Sequence, residues 1–143
     1  MGKKSKKLRV QYAALPYRFS DAGPLVALVT SRETRRWILP KGQPEKSLKG
    51  YQVAAQEALE EAGLRGQTAK KPFATIKSRK RLKSGKEVDC DVKIYPMLVD
   101  QEDAIWPEMH QRERRWLPPL VAASQVSETE LARVILEFAK TLP

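Results

Sequence analysis

Three glutamates, Glu57, Glu60 and Glu61, stand at positions i, i+3 and i+4 of a segment that has the pattern of a helix. At ~100° per residue their carboxylates share one face, near the C-terminal end of the helix. That end is the negative pole of the helix dipole, so acidic side chains are disfavoured there unless a cation offsets their charge. The spacing is therefore typical of either a solvated acidic face or a site for a divalent cation.

The surroundings of the acidic face favour the cation site. The loop from Lys41 to Lys46, which contains Gly42 and Pro44, directly precedes the helix and can bring backbone carbonyl oxygens to the same place. Hard cations such as Mg²⁺ take oxygen ligands. Cys90 is the only cysteine and His110 the only histidine, so these residue types offer no zinc site. We expect Cys90 to be a core residue and any metal to be held by oxygen atoms.

The segment from Gly42 to Leu64 resembles the Nudix box, whose pattern is G, five residues, E, seven residues, R-E-U-x-E-E-x-G-U, where U is apolar. The agreement covers 23 residues without a gap. The stretch Trp37-Ile38-Leu39-Pro40-Lys41-Gly42 is also similar to what precedes the box in dinucleoside polyphosphate hydrolases and their relatives. The resemblance implies a Nudix hydrolase with an α/β/α sandwich fold.

The resemblance also implies a metal site and a reaction. Glu57, Glu60 and Glu61 would bind Mg²⁺ or Mn²⁺, and the carbonyl of Gly42 would complete the set. The implied reaction is hydrolysis of a pyrophosphate bond in a nucleoside diphosphate linked to another group. The resemblance does not identify the general base, because the family uses either a box glutamate or an acid from a later loop. The candidates are Glu57 and, within residues 100–113, Glu102, Asp103, Glu108 and Glu113.

Two positions depart from the box pattern. Leu48 stands where the family has Glu, and Gln56 stands where it has Arg. In the family that Arg helps to orient the first metal-binding glutamate. Since both partners of a pair are replaced together, no charge is left stranded, and Gln56 can still donate a hydrogen bond to Glu57. Glu45 is an alternative occupant of the place that Leu48 cannot fill.

The net charge of +10 is concentrated in two places. Residues 3–9 carry five bases and no acid, and residues 70–86 carry eight bases and no acid, so the rest of the chain has a slight excess of acids. This distribution favours a polyanionic ligand on one face. The basic residues that flank the box or belong to the second cluster are candidates for phosphate contacts, with solvated surface as the alternative for each: Lys41, Arg32, Arg35, Arg36, Arg79 and Arg81.

The leading hypothesis is a metal-dependent hydrolase of a phosphorylated small molecule, possible substrates being dinucleoside polyphosphates and inositol pyrophosphates. The alternative is a catalytically impaired domain that binds nucleotide or RNA. Residues 77–86 contain no aromatic side chain, which argues against nucleic acid as a partner. Trp106 and Trp116 lie where family members often recognise a base, so stacking is a further hypothesis.

The elements around these residues follow from periodicity and turn residues. We predict strands over 8–19 and 24–30 joined by a turn at 20–23, a short strand at 37–39, and a helix from Ser47 to Ala62 that ends at Gly63. We also predict an antiparallel pair, 73–77 with 87–99, and a C-terminal amphipathic helix opened by a capping box at 127–130. This order predicts a mixed sheet between helices.

The length of 143 residues predicts a single domain over residues 8–143, preceded by a disordered basic tail over residues 1–7. No apolar run approaches the ~18 residues of a membrane span. We expect a cytoplasmic protein without membrane contact, either a monomer or a homodimer.

Overall fold

The computed structural model describes residues 9–143, so the basic tail of residues 1–7 lies outside the described residues. The elements in chain order are β1 (Arg9–Ser20), β2 (Gly23–Thr30), β3 (Trp37–Ile38), β4 (Lys41–Gly42), α1 (Gly50–Ala62), β5 (Leu64–Thr68), β6 (Ala74–Arg81), β7 (Glu87–Glu102), β8 (Arg114–Leu117), α2 (Pro119–Gln125) and α3 (Thr129–Ala139).

All eight strands belong to one mixed sheet. Its main path is β3-β2-β1-β7-β5, while β4 pairs with β1, β6 with β7, and β8 with β2. The two longest strands, β1 and β7, lie parallel from the pair Arg9 and Cys90 to the pair Tyr17 and Leu98. The other strand pairs are antiparallel. The box therefore starts on β4, directly beside the central strands.

Helices cover both faces of the sheet, as the predicted α/β/α sandwich requires. On one face α3 contributes Leu131, Val134, Ile135 and Phe138 to the larger core cluster. On the other face α1 packs Ala54, Ala58 and Ala62 against Tyr95 and Met97 of β7. Alanines spaced four residues apart lie on one stripe of a helix, and their small size lets α1 approach the sheet closely.

Several sequence predictions are confirmed. The β1–β2 hairpin turns between Ser20 and Gly23, as predicted. α1 ends at Gly63, whose φ of 65° and ψ of 33° are left-handed and whose N–H donates to carbonyls of the last turn. Cys90 is buried in the larger core cluster, and burial raises the pKa of its thiol, which fits a packing role. The β6–β7 pair exists and extends beyond the predicted bounds.

Other predictions need correction. Lys41–Gly42 was expected in a loop but forms β4 with β1, because two residues suffice to pair where a central strand offers free backbone groups. The strands β5 and β8 and the short helix α2 were not predicted.

The predicted starts of two helices are also wrong. α1 begins at Gly50 rather than at Ser47. The capping box at 127–130 is wrong, since α3 starts after Glu128, whose carboxylate instead accepts a hydrogen bond from Ser78 at 2.8 Å.

Between residues 9 and 143 there is no helix with the length and apolar character needed to cross a membrane.

Candidate active site

The C-terminal half of α1 faces the strand β4. The carboxylate of Glu57 lies against Gly42 so closely that a Cβ atom built on Gly42 would be 2.5 Å from Cδ of Glu57. Real Cβ atoms do not approach other atoms so closely, so any side chain at position 42 would force the Glu57 carboxylate to move. The first glycine of the box therefore allows the observed position of the first carboxylate of the acidic triplet.

Glu61 is a buried carboxyl group, with only 5% of the residue exposed. Its side chain contacts that of Glu57 within hydrogen-bond distance, and its atom Oε1 accepts no hydrogen bond from a donor in residues 9–143. Burial, together with the hydrogen bond to Glu57, raises the pKa of Glu61 to about 9, although the guanidinium of Arg112 acts in the opposite direction. Burial also raises the pKa of Glu57. Both shifts favour the protonated, uncharged form of the pair when no cation is bound.

Glu60 has a different environment from the other two glutamates. Its atom Oε2 accepts a hydrogen bond of 3.0 Å from the amide of Gln56, which also donates to Oε2 of Glu45 at 3.1 Å. Gln56 therefore ties the loop before α1 to the end of α1. The expected hydrogen bond from Gln56 to Glu57 is not among those formed in the described part of the chain, whereas Glu45, the alternative partner, does accept a hydrogen bond from Gln56.

The site shows two features that fit a divalent cation. The carboxylates of Glu57 and Glu61 are held together and need positive charge between them, which a proton supplies when no metal is bound. Gly42 leaves room for the Glu57 carboxylate beside the backbone of β4. Within residues 9–143, however, no three Asp, Glu, His or Cys side chains are already gathered as a metal cluster, since Glu60 is directed to Gln56. The fit therefore rests on the pair Glu57 and Glu61.

A cleft lies between Glu61 and the β6–β7 hairpin. One part, of about 470 Å³, is lined by Glu61 and by Arg32, Arg36, Lys41, Arg81 and Arg112. A second part, of about 650 Å³, shares Arg36, Lys41 and Arg81 and adds Lys77 and Arg79. Because the two parts share these residues, we describe them together as the basic cleft. Glu61 lines the first part, and Arg81 of the hairpin lines both parts.

Five of the six proposed phosphate-contact residues line the basic cleft: Lys41, Arg32, Arg36, Arg79 and Arg81. Arg35 does not line the cleft; its guanidinium donates a hydrogen bond to the backbone carbonyl of Gln111 at 2.9 Å. The hairpin arginines are partly neutralised. Arg79 lies 3.5 Å from Asp89, and Arg81 lies 3.3 Å from Glu87. The sequence did not predict this neutralisation, because the acids belong to the facing strand β7.

Most of the candidate bases in the later loop form ion pairs with arginines. Asp103 pairs with Arg65 at 3.1 Å, Glu102 with Arg18 at 3.1 Å, and Glu108 with Arg112 at 2.7 Å. Glu113 is half exposed and lies 3.9 Å from an arginine as well. Glu57 is the one candidate that contacts both Gly42 and Glu61.

Sequence reasoning missed Arg112. Its side chain is only 8% exposed and lies 3.6 Å from Oε2 of Glu61. No periodicity marks it within the run from Gln111 to Arg115, so nothing in the sequence distinguishes it from its exposed neighbours.

The base-stacking hypothesis for the two tryptophans stays a hypothesis. The ring of Trp106 packs on Gly63, and the guanidinium of Arg114 lies 4.2 Å from its centroid. The guanidinium of Arg18 lies 4.6 Å from the centroid of the Trp116 ring. Each ring therefore has one face covered by an arginine of the protein.

Comparison with known proteins adds relatives and a fold. No family model matches the chain. It is 34% identical over 98 residues to Nudix hydrolase 13, mitochondrial, of Arabidopsis thaliana, which covers 64% of this chain and 48% of that protein. It is 32% identical over 124 residues to Nudix hydrolase 17, mitochondrial, of the same plant, which covers 79% of this chain and 64% of that protein. The chain thus spans about half to two thirds of the length of these curated relatives.

The fold is similar to that of the C. elegans Ap4A hydrolase, with a TM-score of 0.69 and 17% identity, over 96% of this chain and 100% of that chain. At this identity the likeness concerns the fold. Nudix hydrolases generally use divalent metals. The ungapped box, the relatives and the shared fold together show that the chain belongs to the Nudix hydrolase family.

Proposed function

We propose that this protein hydrolyses a pyrophosphate bond in a nucleoside diphosphate linked to another group, and that it favours substrates with many phosphates. The observation that carries the proposal is the basic cleft, in which Glu61, the partner of Glu57, lies together with Lys41 and several arginines. A substrate with adjacent phosphates can place one pyrophosphate at the acidic pair and further phosphates along the cleft. Dinucleoside polyphosphates and inositol pyrophosphates have this chemistry, and a solved structure of the same fold is named an Ap4A hydrolase.

The residues of the site have distinct parts in this reaction. Glu57 and Glu61 would hold Mg²⁺ or Mn²⁺, with Glu60 and the carbonyl of Gly42 as further ligands. The metal, when bound, activates a water molecule and neutralises charge on the leaving phosphate. Lys41, which precedes Gly42 and lines both parts of the cleft, would bind the phosphates and orient the scissile bond. The buried position of Glu61 limits the water around the reacting groups, which strengthens their electrostatic interactions.

The departures at Leu48 and Gln56 keep a second candidate open, a domain that binds phosphorylated ligands without turnover. The hydrogen bonds of Gln56 to Glu45 and Glu60 weigh against it, because they still connect the loop before α1 with the acidic end of the helix.

The proposal is tested by incubating the purified protein with nucleoside triphosphates, nucleotide sugars, dinucleoside polyphosphates and inositol pyrophosphates. Each substrate is tried with Mg²⁺, with Mn²⁺ and with EDTA, and the products are identified by their phosphate pattern. We expect turnover that needs the metal and is highest for a polyphosphorylated substrate. Tight binding of these ligands without turnover would instead support the binding domain, and activity that persists in EDTA would contradict the metal assignment.

A further inference from the structure

The segment from Asp103 to Arg114, which connects β7 with β8, holds the C-terminal end of α1. An α-helix leaves its last four carbonyl groups without partners inside the helix. Here the carbonyl of Leu59 accepts a hydrogen bond from Gly63 N at 3.0 Å, and the next four carbonyls all accept from the connecting segment. The pairs are Glu60 with Glu108 N at 3.0 Å, Glu61 with Trp106 Nε1 at 3.0 Å, Ala62 with Arg114 Nη1 at 2.7 Å, and Gly63 with Asp103 N at 2.7 Å.

The side chain of Arg112 comes from the same segment and is fixed at two points. Its Nε donates to Oε1 of Glu108 at 2.7 Å, and its Nη1 donates to the carbonyl of Thr30 at 3.0 Å. The remaining nitrogen, Nη2, lies 3.6 Å from Oε2 of Glu61. Because the guanidinium is planar, the two anchoring hydrogen bonds also determine where Nη2 points.

Arg112 supplies the charge that the box itself lacks. Of the lysines and arginines in the described residues, it is the one that lies within 4.0 Å of a carboxylate of Glu57, Glu60 or Glu61. Gln56 is neutral and its amide is taken up by Glu45 and Glu60. A buried carboxylate with one oxygen that accepts no hydrogen bond needs such a neighbour to keep a single orientation.

We propose that Arg112 is a positioning residue, which holds the carboxylate of Glu61 in the orientation that binds the divalent cation. This inference rests on the proposed function and adds to it a residue from outside the box. The main competing role is direct contact with a substrate phosphate, because Arg112 also lines the basic cleft. The two roles differ in what they change: positioning affects metal affinity without substrate, whereas phosphate contact affects KM.

The test compares Arg112→Gln and Arg112→Lys with the control Arg115→Gln. The control removes the same charge three residues away, from an arginine that is 58% exposed and pairs with Glu113. Mn²⁺ affinity is measured without substrate, by the paramagnetic resonance of free Mn²⁺, and kcat and KM are measured at saturating Mn²⁺. Circular dichroism and thermal unfolding show whether each variant is folded.

We expect Arg112→Gln to weaken Mn²⁺ binding by about 10- to 100-fold, the usual effect of losing a residue that orients a metal ligand. At saturating Mn²⁺ its kcat should fall while KM changes little. Arg112→Lys should recover part of the affinity, since it keeps the charge but cannot keep both anchoring hydrogen bonds. If Arg112→Gln does not fold, Glu108→Ala replaces it, because this change releases Nε of Arg112 and should weaken Mn²⁺ binding in the same direction.

Other results would overturn the inference. Unchanged Mn²⁺ affinity with a raised KM would assign Arg112 to substrate phosphate, and equal effects of Arg112→Gln and Arg115→Gln would remove any special role. If the wild-type protein binds Mn²⁺ more tightly than Arg112→Gln but hydrolyses no substrate, the positioning role stands and the proposed function fails. If the wild-type protein binds no Mn²⁺, both fail.

Discussion

At the scale of single residues, Glu61 is the most unusual group in the molecule. A carboxyl group is rarely buried, and here burial beside Glu57 raises the pKa of Glu61 to about 9. Titratable groups whose pKa is strongly shifted cluster at functional sites. The alternative interpretation of the acidic triplet, a solvated acidic face, is therefore wrong for Glu61.

We predict that Glu57→Gln and Glu61→Gln each lower turnover by at least ~100-fold, because each would remove a charged ligand of the proposed metal, which would activate water. The fold should be unchanged, since Gln has nearly the same size as Glu. The matched control is Glu137→Gln on α3, an exposed glutamate paired with Arg133. Steady-state kinetics with Mg²⁺ measure the effect. Near wild-type turnover in either site variant would show that the metal assignment is mistaken.

The raised pKa of Glu61 also predicts how the stability of the metal-free protein depends on pH. The folded state binds the proton of Glu61 more tightly than the unfolded chain does, so this contribution is fully present below the ordinary pKa of a glutamate. It is lost as pH rises through the range up to about 9. Urea unfolding in EDTA at several pH values should show it as a difference between wild type and Glu61→Gln. A difference that is constant with pH would contradict the shift.

At the scale of elements, the short strand β4 determines where α1 can lie. Its pairing with β1 fixes Gly42 in the sheet, and the missing side chain of Gly42 admits the carboxylate of Glu57. The alanine stripe of α1 then sets the distance between helix and sheet. The hydrogen bonds from the segment 103–114 fix the C-terminal end of α1.

We predict that Gly42→Ala costs about 1–3 kcal/mol of folding free energy, because the new Cβ overlaps the Glu57 carboxylate. It should also weaken Mn²⁺ binding, since Glu57 must move. In a Glu57→Ala background the same substitution should cost much less stability, because the atoms it collides with are gone. Chemical denaturation of the four proteins in this cycle gives the comparison. Equal costs in both backgrounds would mean that Gly42 and Glu57 do not interact.

At the scale of the whole molecule, charge is distributed along one groove. Arginines of the β2–β3 loop, Lys41 of β4 and the β6–β7 hairpin meet at the basic cleft, although they are far apart in the sequence. The hairpin also supplies a natural comparison. Arg81 lines the cleft, whereas Lys80 and Lys83 do not.

We predict that the double change Arg36→Gln with Arg81→Gln raises KM for a polyphosphorylated substrate by about tenfold or more, since a hydrogen bond to a charged group contributes ~1.5–3 kcal/mol. KM for a nucleotide sugar should rise less. The control, Lys80→Gln with Lys83→Gln, removes the same charge from the same region.

The difference between the two double variants should persist at ~0.15 M ionic strength, where the Debye length is about 8 Å and distant charges are screened. Equal KM values in the two variants would mean that the net charge of the region matters rather than contact in the cleft.

The sequence alone determined the local parts of this protein. The acidic triplet, the glycine that ends α1, the alternation of β1 and β7 and the apolar run of β2 depend on neighbours a few residues away, so their patterns predict them. The resemblance to the Nudix box likewise led to the correct family and fold class. Short elements escaped prediction, because β4, β5 and β8 pair only where the longer strands offer free edges.

Only the tertiary structure decided the surroundings of the acidic triplet. Arg112 is separated from Glu61 by about 50 residues, and its two anchoring partners, Thr30 and Glu108, belong to different segments. The neutralisation of Arg79 and Arg81 depends on the register between β6 and β7. The burial of Glu61 likewise depends on how closely α1 packs on the sheet. Sequence spacing shows which groups share a helix face, whereas burial and charge partners depend on what other segments bring to that face.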